Sequence, residues 1–387
     1  MKETQQFTMG ELFTLEYGKP VPDKESSDGS VPVYGTNGQI GTSHLKPLCN
    51  HPSVILGRKG AYRGVHYSNR PFSVIDTAFY IELITDKVDI KWLYYKLLTY
   101  DINSMDSGSA IPSTDRYQIY SLPIEVPSIS TQRRIVDILD SITTKIELNR
   151  QINDNLEQQA QALYKSWFVD FEPFKDGKFE ESEIGLIPEG WHVGKAEDFY
   201  EINIGKTPPR KEHEWFTLDK SQNIWVSISD LGSDGRFLFD SSEYLTDKAI
   251  QKHNIVLVPE DTVLLSFKLT IGRVGIAGTQ LTTNEAIARF ITNSVNREYT
   301  YFLLKNFNYS KLGSTSSIAT AVNSKIIKAM VVLMPCNECL LNFKKLVGPI
   351  IDGIKKNEEE ILRLTKLRDT LLPKLMSGEL KINEIDC

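Results

Sequence analysis

Two long segments of the chain place apolar or amide side chains at alternating spacings of four and three residues. The first series begins at Ile135 and the second at Phe343, and the two series keep a constant offset along the chain. Spacing of this kind over about four to five heptads predicts long α-helices that pair along a coiled-coil seam. The predicted seam residues are Ile135, Leu139, Ile142, Ile146, Asn149, Leu156, Leu163 and Trp167 in the first helix, and Phe343, Val347, Ile350, Ile354, Asn357, Ile361, Leu364 and Leu371 in the second.

The alternative is that each segment forms an ordinary amphipathic helix lying on its own domain. Residues 132–168 contain no proline. At a rise of ~1.5 Å per residue the first helix is expected to be roughly 55 Å long, which exceeds the width of a small domain and favours pairing. Asn149, Asn153 and Asn357 weaken an apolar seam, although polar seam residues can instead fix its register. We predict antiparallel pairing, while the sequence leaves parallel pairing open because a whole domain separates the helices.

The segments that precede the two helices share a second pattern. In both, short β-branched and aromatic runs alternate with Gly, Pro, Asn and Ser, which predicts short strands joined by turns. Similar sequences recur in the same order in both segments, as expected for a duplicated unit. The matched pairs are Phe13–Pro20 with Tyr200–Pro208, Val31–Val33 with Ile224–Val226, Val54–Lys59 with Val263–Lys268, and Ser107–Ile111 with Gly313–Ile318.

Together these patterns predict an α+β fold with a pseudo-twofold internal repeat. The segment after the first helix is rich in charged residues, Gly and Pro, so the helix is expected to end there. Phe171, Phe174 and Phe179 in this segment are too apolar to be left in water. We therefore predict an ordered connector there. The predicted boundaries are 1–130 and 191–337 for two strand-rich domains, 131–169 for the central helix, 170–190 for the connector, and 338–387 for the second helix and a tail.

Composition describes an ordinary globular protein. The 387 residues include 44 Lys and Arg against 50 Asp and Glu, a net charge of −6, and 41% are hydrophobic, which excludes a disordered or fibrous chain. No apolar stretch approaches the roughly 18 residues of a membrane span, and the amino terminus lacks a secretory signal, so we expect a cytoplasmic protein. The four cysteines are too few for a disulfide framework and are expected to be reduced.

The sequence lacks the motifs of the common catalytic and nucleotide-binding sites. Cys336 and Cys339 have the spacing of a metal-ligand pair, but no second Cys or His pair accompanies them. We find no Gly-x-x-x-x-Gly-Lys-Ser/Thr, no Gly-x-Gly-x-x-Gly and no Asn/Asp-Pro-Pro-Tyr/Phe motif, and the six histidines form no close pair. We predict a chain that is non-catalytic by itself and has neither a metal nor a cofactor of its own.

Positive charge is concentrated in a few segments although the chain as a whole is acidic. Residues 51–75 contain four basic side chains and no acidic one, and residues 262–284 contain two and none. Lys and Arg give salt-dependent affinity for phosphates, and Arg, Lys, Asn or Gln on turns can reach base edges. For any single residue a solvated surface charge is the simpler explanation, but a basic surface on each domain is the stronger prediction. The candidate DNA-contacting residues are Lys19, Asn37, Gln39, Arg58, Lys59, Arg63, Asn69 and Arg70 in the first domain, and Lys206, Arg210, Lys211, Lys268, Arg273, Gln280 and Asn284 in the second.

Five segments resemble a known family in their order and content. Together with the two strand-rich domains and the two long helices, they make the chain resemble the specificity subunit of type I restriction–modification systems over essentially its whole length. The segments are Val31–Gly38, Ser128–Ile135, Leu163–Pro173, Gly185–Trp191 and Leu367–Leu380.

The resemblance implies that each strand-rich domain is a target-recognition domain for one half of a bipartite site in double-stranded DNA. It also implies that the helices are spacers on which two modification (methyltransferase) subunits dock, and that restriction subunits can join them. S-adenosylmethionine and ATP are then expected on these partner subunits. Trp225–Asp230 differs from the Gly-rich counterpart in the first domain, which suggests that the two domains recognise different sequences.

Two other classes of function are open on the sequence. A structural adaptor would use the coiled coil only to bring proteins together, and charge reversal at Arg58 and Arg63 would then leave the complex fully active. A single-chain nuclease or methyltransferase would cleave DNA with a metal ion, or would bind S-adenosylmethionine, without partners.

A spacer helix makes a mechanical prediction. If helix length sets the gap between half-sites, with about 34 Å corresponding to one duplex turn, then inserting four residues between Asn149 and Leu156 changes the preferred gap and leaves each half-site unchanged. Mapping methylated sites in cells that carry the complete system measures this gap. Retention of the original gap would contradict the spacer role.

Overall fold

The structure is a computed structural model, and it describes residues 4–105, 112–232, 235–292, 295–312 and 322–380. The chain forms two compact units. Unit 1 comprises residues 1–145 with 363–387, and unit 2 comprises residues 146–362. The predicted match of Ser107–Ile111 with Gly313–Ile318 lies outside the described residues.

Unit 1 is built from short strands with two short helices, the first part of one long helix and the last part of another. The carboxylate of Asp89 caps the first helix by accepting the N–H groups of Lys91 and Trp92. The helices are α1 (Ile90–Leu97), α2 (Arg116–Ser121) and the beginning of α3 (Ile129–Phe168), and the strands are β1 (Gln5–Thr8), β2 (Phe13–Tyr17), β3 (Val31–Gly35), β4 (Gly38–Ser43), β5 (Ser53–Gly57), β6 (Val65–Ser68), β7 (Ser73–Val74), β8 (Ala78–Leu83) and β9 (Pro123–Val126).

Unit 2 repeats this composition with additional short elements, and it contains the rest of α3 and the first part of the second long helix. Its strands are β10 (Phe179–Ser182), β11 (Gly185–Pro188), β12 (His192–Lys195), β13 (Glu201–Ile204), β14 (Phe216–Thr217), β15 (Asn223–Val226), β16 (Phe237–Leu238), β17 (Tyr244–Leu245), β18 (Val263–Ser266), β19 (Val274–Ala277), β20 (Thr282–Thr283), β21 (Ile287–Ile291) and β22 (Val331–Met334). Its helices are α4 (Ala196–Phe199), α5 (Ile228–Leu231), α6 (Asp247–Lys252), α7 (Arg297–Asn306), α8 (Ser324–Lys328) and the beginning of α9 (Asn337–Ser377).

Each unit contains two small sheets with corresponding strand orders. In unit 1 the orders are β2-β8-β5-β6 and β4-β3-β7, and β1 pairs with β9. In unit 2 they are β13-β21-β18-β19-β16 and β14-β17-β15-β20, and β12 pairs with β22. A parallel pair, β3 with β7 or β15 with β20, occurs in both units. The central strands β5 and β18 are buried along their whole length, as their continuous apolar runs predict.

The same backbone contacts recur in the two units, which confirms the internal repeat. The N–H of Gly18 donates to Ala78 O, and the N–H of Gly205 donates to Ile287 O. A Cβ atom at either glycine would lie 2.0 Å from a carbonyl oxygen of the facing turn. Only glycine therefore permits this close approach of two backbones, which explains why glycine occurs at this position in both units.

One detail of the predicted repeat is wrong. Tyr34 lies opposite Val74 and Val226 lies opposite Thr283 in the parallel pairs. Val74 and Thr283 accept equivalent backbone hydrogen bonds, so Tyr34 corresponds to Val226. The sequence match, which aligned Val33 with Val226, is shifted by one residue because short apolar runs resemble each other in either register, whereas strand pairing fixes one.

The long helices pair in the predicted antiparallel direction. Within unit 2, Phe168 of α3 packs against Phe343 of α9 with 4.8 Å between ring centroids. Further back along α3, Asn153 accepts a 2.8 Å hydrogen bond from the side chain of Asn357. Moving toward the start of α3 therefore leads toward the end of α9, which excludes the parallel pairing that the sequence left open.

The predicted seam residues all lie at buried or half-buried positions. The buried ones are Ile135, Leu139, Ile142, Ile146, Asn149, Phe343, Val347 and Ile354, and the half-buried ones are Leu156, Leu163, Trp167, Ile350, Asn357, Ile361, Leu364 and Leu371.

The helices also pack against the strand-rich parts of each unit. In unit 1, Leu56 and Trp92 share one buried cluster with Ile135 of α3 and with Leu375 and Met376 of α9. In unit 2, Phe343 and Val347 of α9 belong to the core that contains sheet and α7 residues. Helix pairing and helix packing on the domain therefore both occur, on different stretches of the same helices. Among the described residues, no helix is long and apolar enough to cross a membrane.

Charged side chains join both helices to the sheet region within unit 2. Arg236 donates to Glu157 of α3 at 2.9 Å, and the N–H groups of Arg236 and Phe237 donate to Glu358 of α9. Burial opposes ionisation of Glu157, but hydrogen bonds from Lys305 and Tyr301 and the charge of Arg236 outweigh it and lower its pKa. Burial raises the pKa of Glu358.

The connector between α3 and β12 is folded against an aromatic cluster. Trp191 packs against Phe168, Phe171 and Phe174, with ring centroids 5.7, 5.6 and 5.0 Å away. A short 3-10 turn at Glu172–Phe174 and the β10–β11 hairpin make up most of this segment. Burial of large rings explains why the charged and Gly-containing sequence is ordered here.

The paired asparagines of the seam make a stability prediction. Asn153 donates to Ile354 O and accepts from Asn357, so Asn357→Leu alone leaves a buried acceptor unpaired and is expected to destabilise unit 2 by about 1–3 kcal/mol. Replacing both asparagines by leucine removes the unpaired group, and we expect the double variant to be at least as stable as the natural protein.

Denaturant unfolding followed by tryptophan fluorescence measures this, because four of the five tryptophans lie in unit 2. The exposed Asn155→Leu on α3 is the matched control and should change the free energy of unfolding by less than about 0.5 kcal/mol. A single variant as stable as the natural protein would contradict a paired role for Asn153 and Asn357.

Candidate nucleic-acid interface

In unit 1, most of the candidate side chains lie in or directly beside the loops that connect the strands. Asn37 and Gln39 are exposed at the β3–β4 hairpin, Lys19 is exposed after β2, and Asn69 and Arg70 are exposed between β6 and β7. Gly38 has a φ of +114°, which the tight hairpin turn requires.

The hairpin turn contacts the loop between β5 and β6. The N–H of Gly64 donates to Thr36 O at 3.0 Å. This loop begins with Arg58 and Lys59, both half-buried, and Lys59 lies 4.0 Å from the carboxylate of Asp76. Asn37, Arg58 and Lys59 therefore belong to two loops that are hydrogen-bonded to each other.

Two arginines of unit 1 are stacked on aromatic rings at the surface. The guanidinium of Arg58 lies 4.8 Å from the ring centroid of Tyr17, and that of Arg116 lies 5.2 Å from the same ring and 5.0 Å from Tyr117. Tyr17 and Tyr117 are exposed. We call Tyr17, Arg58, Arg116 and Tyr117 the Tyr17 patch. Stacking restricts the guanidinium groups without neutralising them, so the patch offers positive charge in a fixed position.

The structure contradicts the prediction that Arg63 contacts DNA. Its residue exposure is 2%, and its guanidinium donates to Gly60 O at 3.1 Å and to Asn103 O at 2.7 Å. Its N–H also donates to the Asn103 side chain. Arg63 instead ties the β5–β6 loop to the turn at Asn103, because buried backbone carbonyls need a donor there.

In unit 2, five of the seven candidates are exposed. Lys206 donates to the carbonyls of His253 and Asn254 at the end of α6. The guanidinium of Arg210 lies 4.1 Å from the ring centroid of Phe216 and pairs with Glu243 at 2.8 Å. The exposed candidates are Lys206, Arg210, Lys211, Lys268 and Gln280.

Arg210 is stacked in the same manner as Arg58, since it also lies 4.7 Å from the ring centroid of Trp225. Lys206 and Arg210 line one open cleft together with Gly205, Thr207, Pro208, His253 and Glu285. Both units therefore hold an arginine against aromatic rings close to the Gly-Lys turn.

Arg273 and Asn284 are half-buried, as Arg58 and Lys59 are, and they also form hydrogen bonds within unit 2, so their contact with DNA stays a prediction. Arg273 donates to Ile228 O at 2.8 Å, and a Cβ at Gly232 would lie 2.1 Å from its guanidinium. The side chain of Asn284 accepts the N–H of Ala286 at 3.0 Å. Both side chains therefore order loops, which the basic or amide character of a residue does not reveal.

Sequence reasoning missed several exposed residues of these surfaces. Arg116 and Tyr117 lie far along the chain from Tyr17 and come beside it only in the fold. The β5–β6 loop exposes Tyr62, and the equivalent β18–β19 loop exposes Leu269 completely, at a φ of +59°. An exposed apolar residue beside Lys268 produces no periodic sequence signal, so only the structure identifies it.

Three side chains of unit 1 form a group that could hold a metal ion. Cys49 Sγ lies 3.7 Å from His51 Nε2, which lies 3.0 Å from a carboxylate oxygen of Glu82. Burial raises the pKa of the Cys49 thiol. Sequence spacing does not indicate this group, because Glu82 is 31 residues from His51 on strand β8.

Comparisons with known proteins identify the family. The model of the type I restriction modification DNA specificity domain matches residues 1–158 and 188–336. The chain is 28% identical over 315 residues to the type I restriction enzyme MjaIX specificity subunit of Methanocaldococcus jannaschii, covering 78% of this chain and 71% of that protein. It is 26% identical over 349 residues to the HindI specificity subunit of Haemophilus influenzae, covering 74% of each chain.

Solved structures show the same fold. The crystal structure of the type I restriction–modification S subunit from M. genitalium superposes with a TM-score of 0.60, at 15% identity, over 97% of this chain and 96% of that one. The chain belongs to the type I restriction–modification DNA specificity family, which confirms the resemblance found in its sequence. Specificity subunits of this family are non-catalytic on their own.

The free energy of unfolding can distinguish the role of Arg63 from that of Arg70 in unit 1. Arg63→Ala removes donors to two buried carbonyls, so we expect a loss of about 1–3 kcal/mol in the free energy of unfolding of unit 1. Arg70→Ala, at an exposed turn, should change it by less than about 0.5 kcal/mol. Protection of unit 1 amides in hydrogen exchange measures both variants. Equal protection in the two would contradict a structural role for Arg63.

Proposed function

We propose that this protein is the sequence-specific DNA-binding subunit of a type I restriction–modification complex, and that each strand-rich domain recognises one half of a bipartite site. The observation that carries the proposal is the family match to both domains. It is supported by the stacked arginines, Arg58 and Arg116 in unit 1 and Arg210 in unit 2, which lie on surfaces that also expose lysine and amide side chains.

The surfaces suit duplex DNA for a physical reason. Phosphates attract the stacked guanidinium groups of Arg58 and Arg116 whatever the sequence. Exposed Asn37, Gln39 and Gln280 have the donor and acceptor atoms needed at base edges. The aromatic partners of the arginines differ between the units, Tyr17 in one and Phe216 with Trp225 in the other. This difference supports recognition of two different half-sites.

The partners and cofactors follow from the same proposal. Two modification subunits dock on the spacer helices α3 and α9, which also set the gap between half-sites, and restriction subunits complete the complex. S-adenosylmethionine and ATP bind to those partners and not to this chain. The complex acts on chromosomal or incoming DNA, so its compartment is the cytoplasm.

Charge reversal in the Tyr17 patch tests the interface. In the complex with modification subunits, Arg58→Glu with Arg116→Glu should weaken binding to the cognate site at least tenfold at moderate salt. It should also lower the slope of log Kd against log salt by about 1 for each phosphate that the variant no longer neutralises. Fluorescence anisotropy over a salt series measures both quantities.

The matched control reverses two exposed lysines of the connector, Lys175→Glu with Lys178→Glu, which should leave affinity and slope unchanged. Unchanged binding by the Tyr17 patch variant would contradict this placement of the interface. Failure of the natural complex to bind any bipartite site, with full association of its subunits, would instead favour the structural adaptor.

A further inference from the structure

Two cysteines at the beginning of α9 are not among the candidate DNA-contacting residues. Cys336 and Cys339 are both free thiols, and the Sγ of Cys336 donates to the Sγ of Cys339 at 2.9 Å. In the sequence they have metal-like spacing without a second ligand pair. The structure adds that the two sulfur atoms are in direct contact.

Their position on the helix explains the contact. The carbonyl of Cys336 accepts the N–H of Leu340 at 3.1 Å, so Cys336 lies at the position that caps α9, and Cys339 follows in the first turn. Residues three apart at this point lie on the same face of the helix. Two cysteines in the first turn of a helix form the arrangement found in dithiol redox motifs, where the helix N-terminus stabilises negative charge on sulfur.

The two thiols have similar surroundings. Both are half-buried and pack against the core of unit 2, which contains Trp191 and Phe343. Burial raises the pKa of the Cys339 thiol. Because neither residue is fully buried, an external disulfide can reach the pair.

We propose that Cys336 and Cys339 form a reversible dithiol–disulfide couple at the first turn of α9, oxidised by low-molecular-weight disulfides such as glutathione disulfide. The thiolate of one cysteine attacks glutathione disulfide and releases one glutathione. The other cysteine then loses its proton and attacks the mixed disulfide, which releases the second glutathione. The two cysteines lose two electrons and two protons, which the two glutathione molecules gain.

The structure needs little change for this reaction. A disulfide bond brings two sulfur atoms to about 2.05 Å, so the contact at 2.9 Å closes by less than about 1 Å. The bond would form a small ring that includes only Asn337 and Glu338 between the cysteines. It would hold together the turn that leads from β22 into α9.

The test uses the full-length natural protein equilibrated with glutathione and glutathione disulfide at a series of ratios, then alkylated and analysed by peptide mass. The chain contains four cysteines, Cys49, Cys336, Cys339 and Cys387. We expect oxidation to remove two alkylation sites from the single peptide that contains Cys336 and Cys339, with a mass loss of two hydrogens, and dithiothreitol to restore both sites.

Single substitutions of cysteine by serine show which two cysteines form the bond. Cys336→Ser and Cys339→Ser should each abolish the loss of two hydrogens, and the cysteine that remains in each variant should instead accept a glutathione adduct. The control Cys49→Ser should oxidise like the natural protein. Glutathione adducts on both cysteines without a bond between them, or unchanged thiols at ratios that oxidise Cys387, would overturn the proposal. If a variant fails to fold, the loss of two hydrogens from the peptide of the natural protein still tests the proposal.

Discussion

Both strand-rich domains complete their cores with side chains of α3 and α9. Neither strand-rich domain closes its core from its own residues, because buried side chains of both helices belong to the cluster in each unit. Burial of these apolar surfaces stabilises the helices far more than their intrinsic propensity does. The helices are therefore part of each domain as well as partners of each other, and the domain boundary passes through them.

The polar residues of the seam restrict how the helices can pair. In unit 2, Asn153 bonds to Asn357 and Asn149 donates to Glu360 at 2.8 Å. A shift of either helix would leave these buried groups without partners, at a cost of about 1–3 kcal/mol for each group. An apolar seam would pack equally well in several registers. The asparagines lower the stability of the helix pair, and they restrict it to one register.

The duplication has preserved backbone geometry more strictly than side chains. Gly18 and Gly205 occupy equivalent close approaches, where any side chain would collide with a carbonyl oxygen. Around them the surfaces have diverged, with Arg58 stacked on Tyr17 in one unit and Arg210 on Phe216 in the other. Equivalent backbone geometry with different surface residues agrees with the proposal that the two domains recognise different half-sites by the same mode of binding.

The two long helices, the strand-rich duplicated units and the family were predictable from the amino-acid sequence, because hydrophobic spacing and short motifs are local properties of the chain. The direction of helix pairing and the surroundings of individual basic residues depend on contacts between distant segments, and these appear only in the fold. Arg63 and Arg70 belong to the same basic segment of the sequence. Arg63 is buried and donates to two backbone carbonyls, whereas Arg70 is exposed. Arg116 joins Tyr17, and Cys49 joins Glu82, across separations that no spacing rule connects, because contacts between distant segments depend on how the sheets and helices pack.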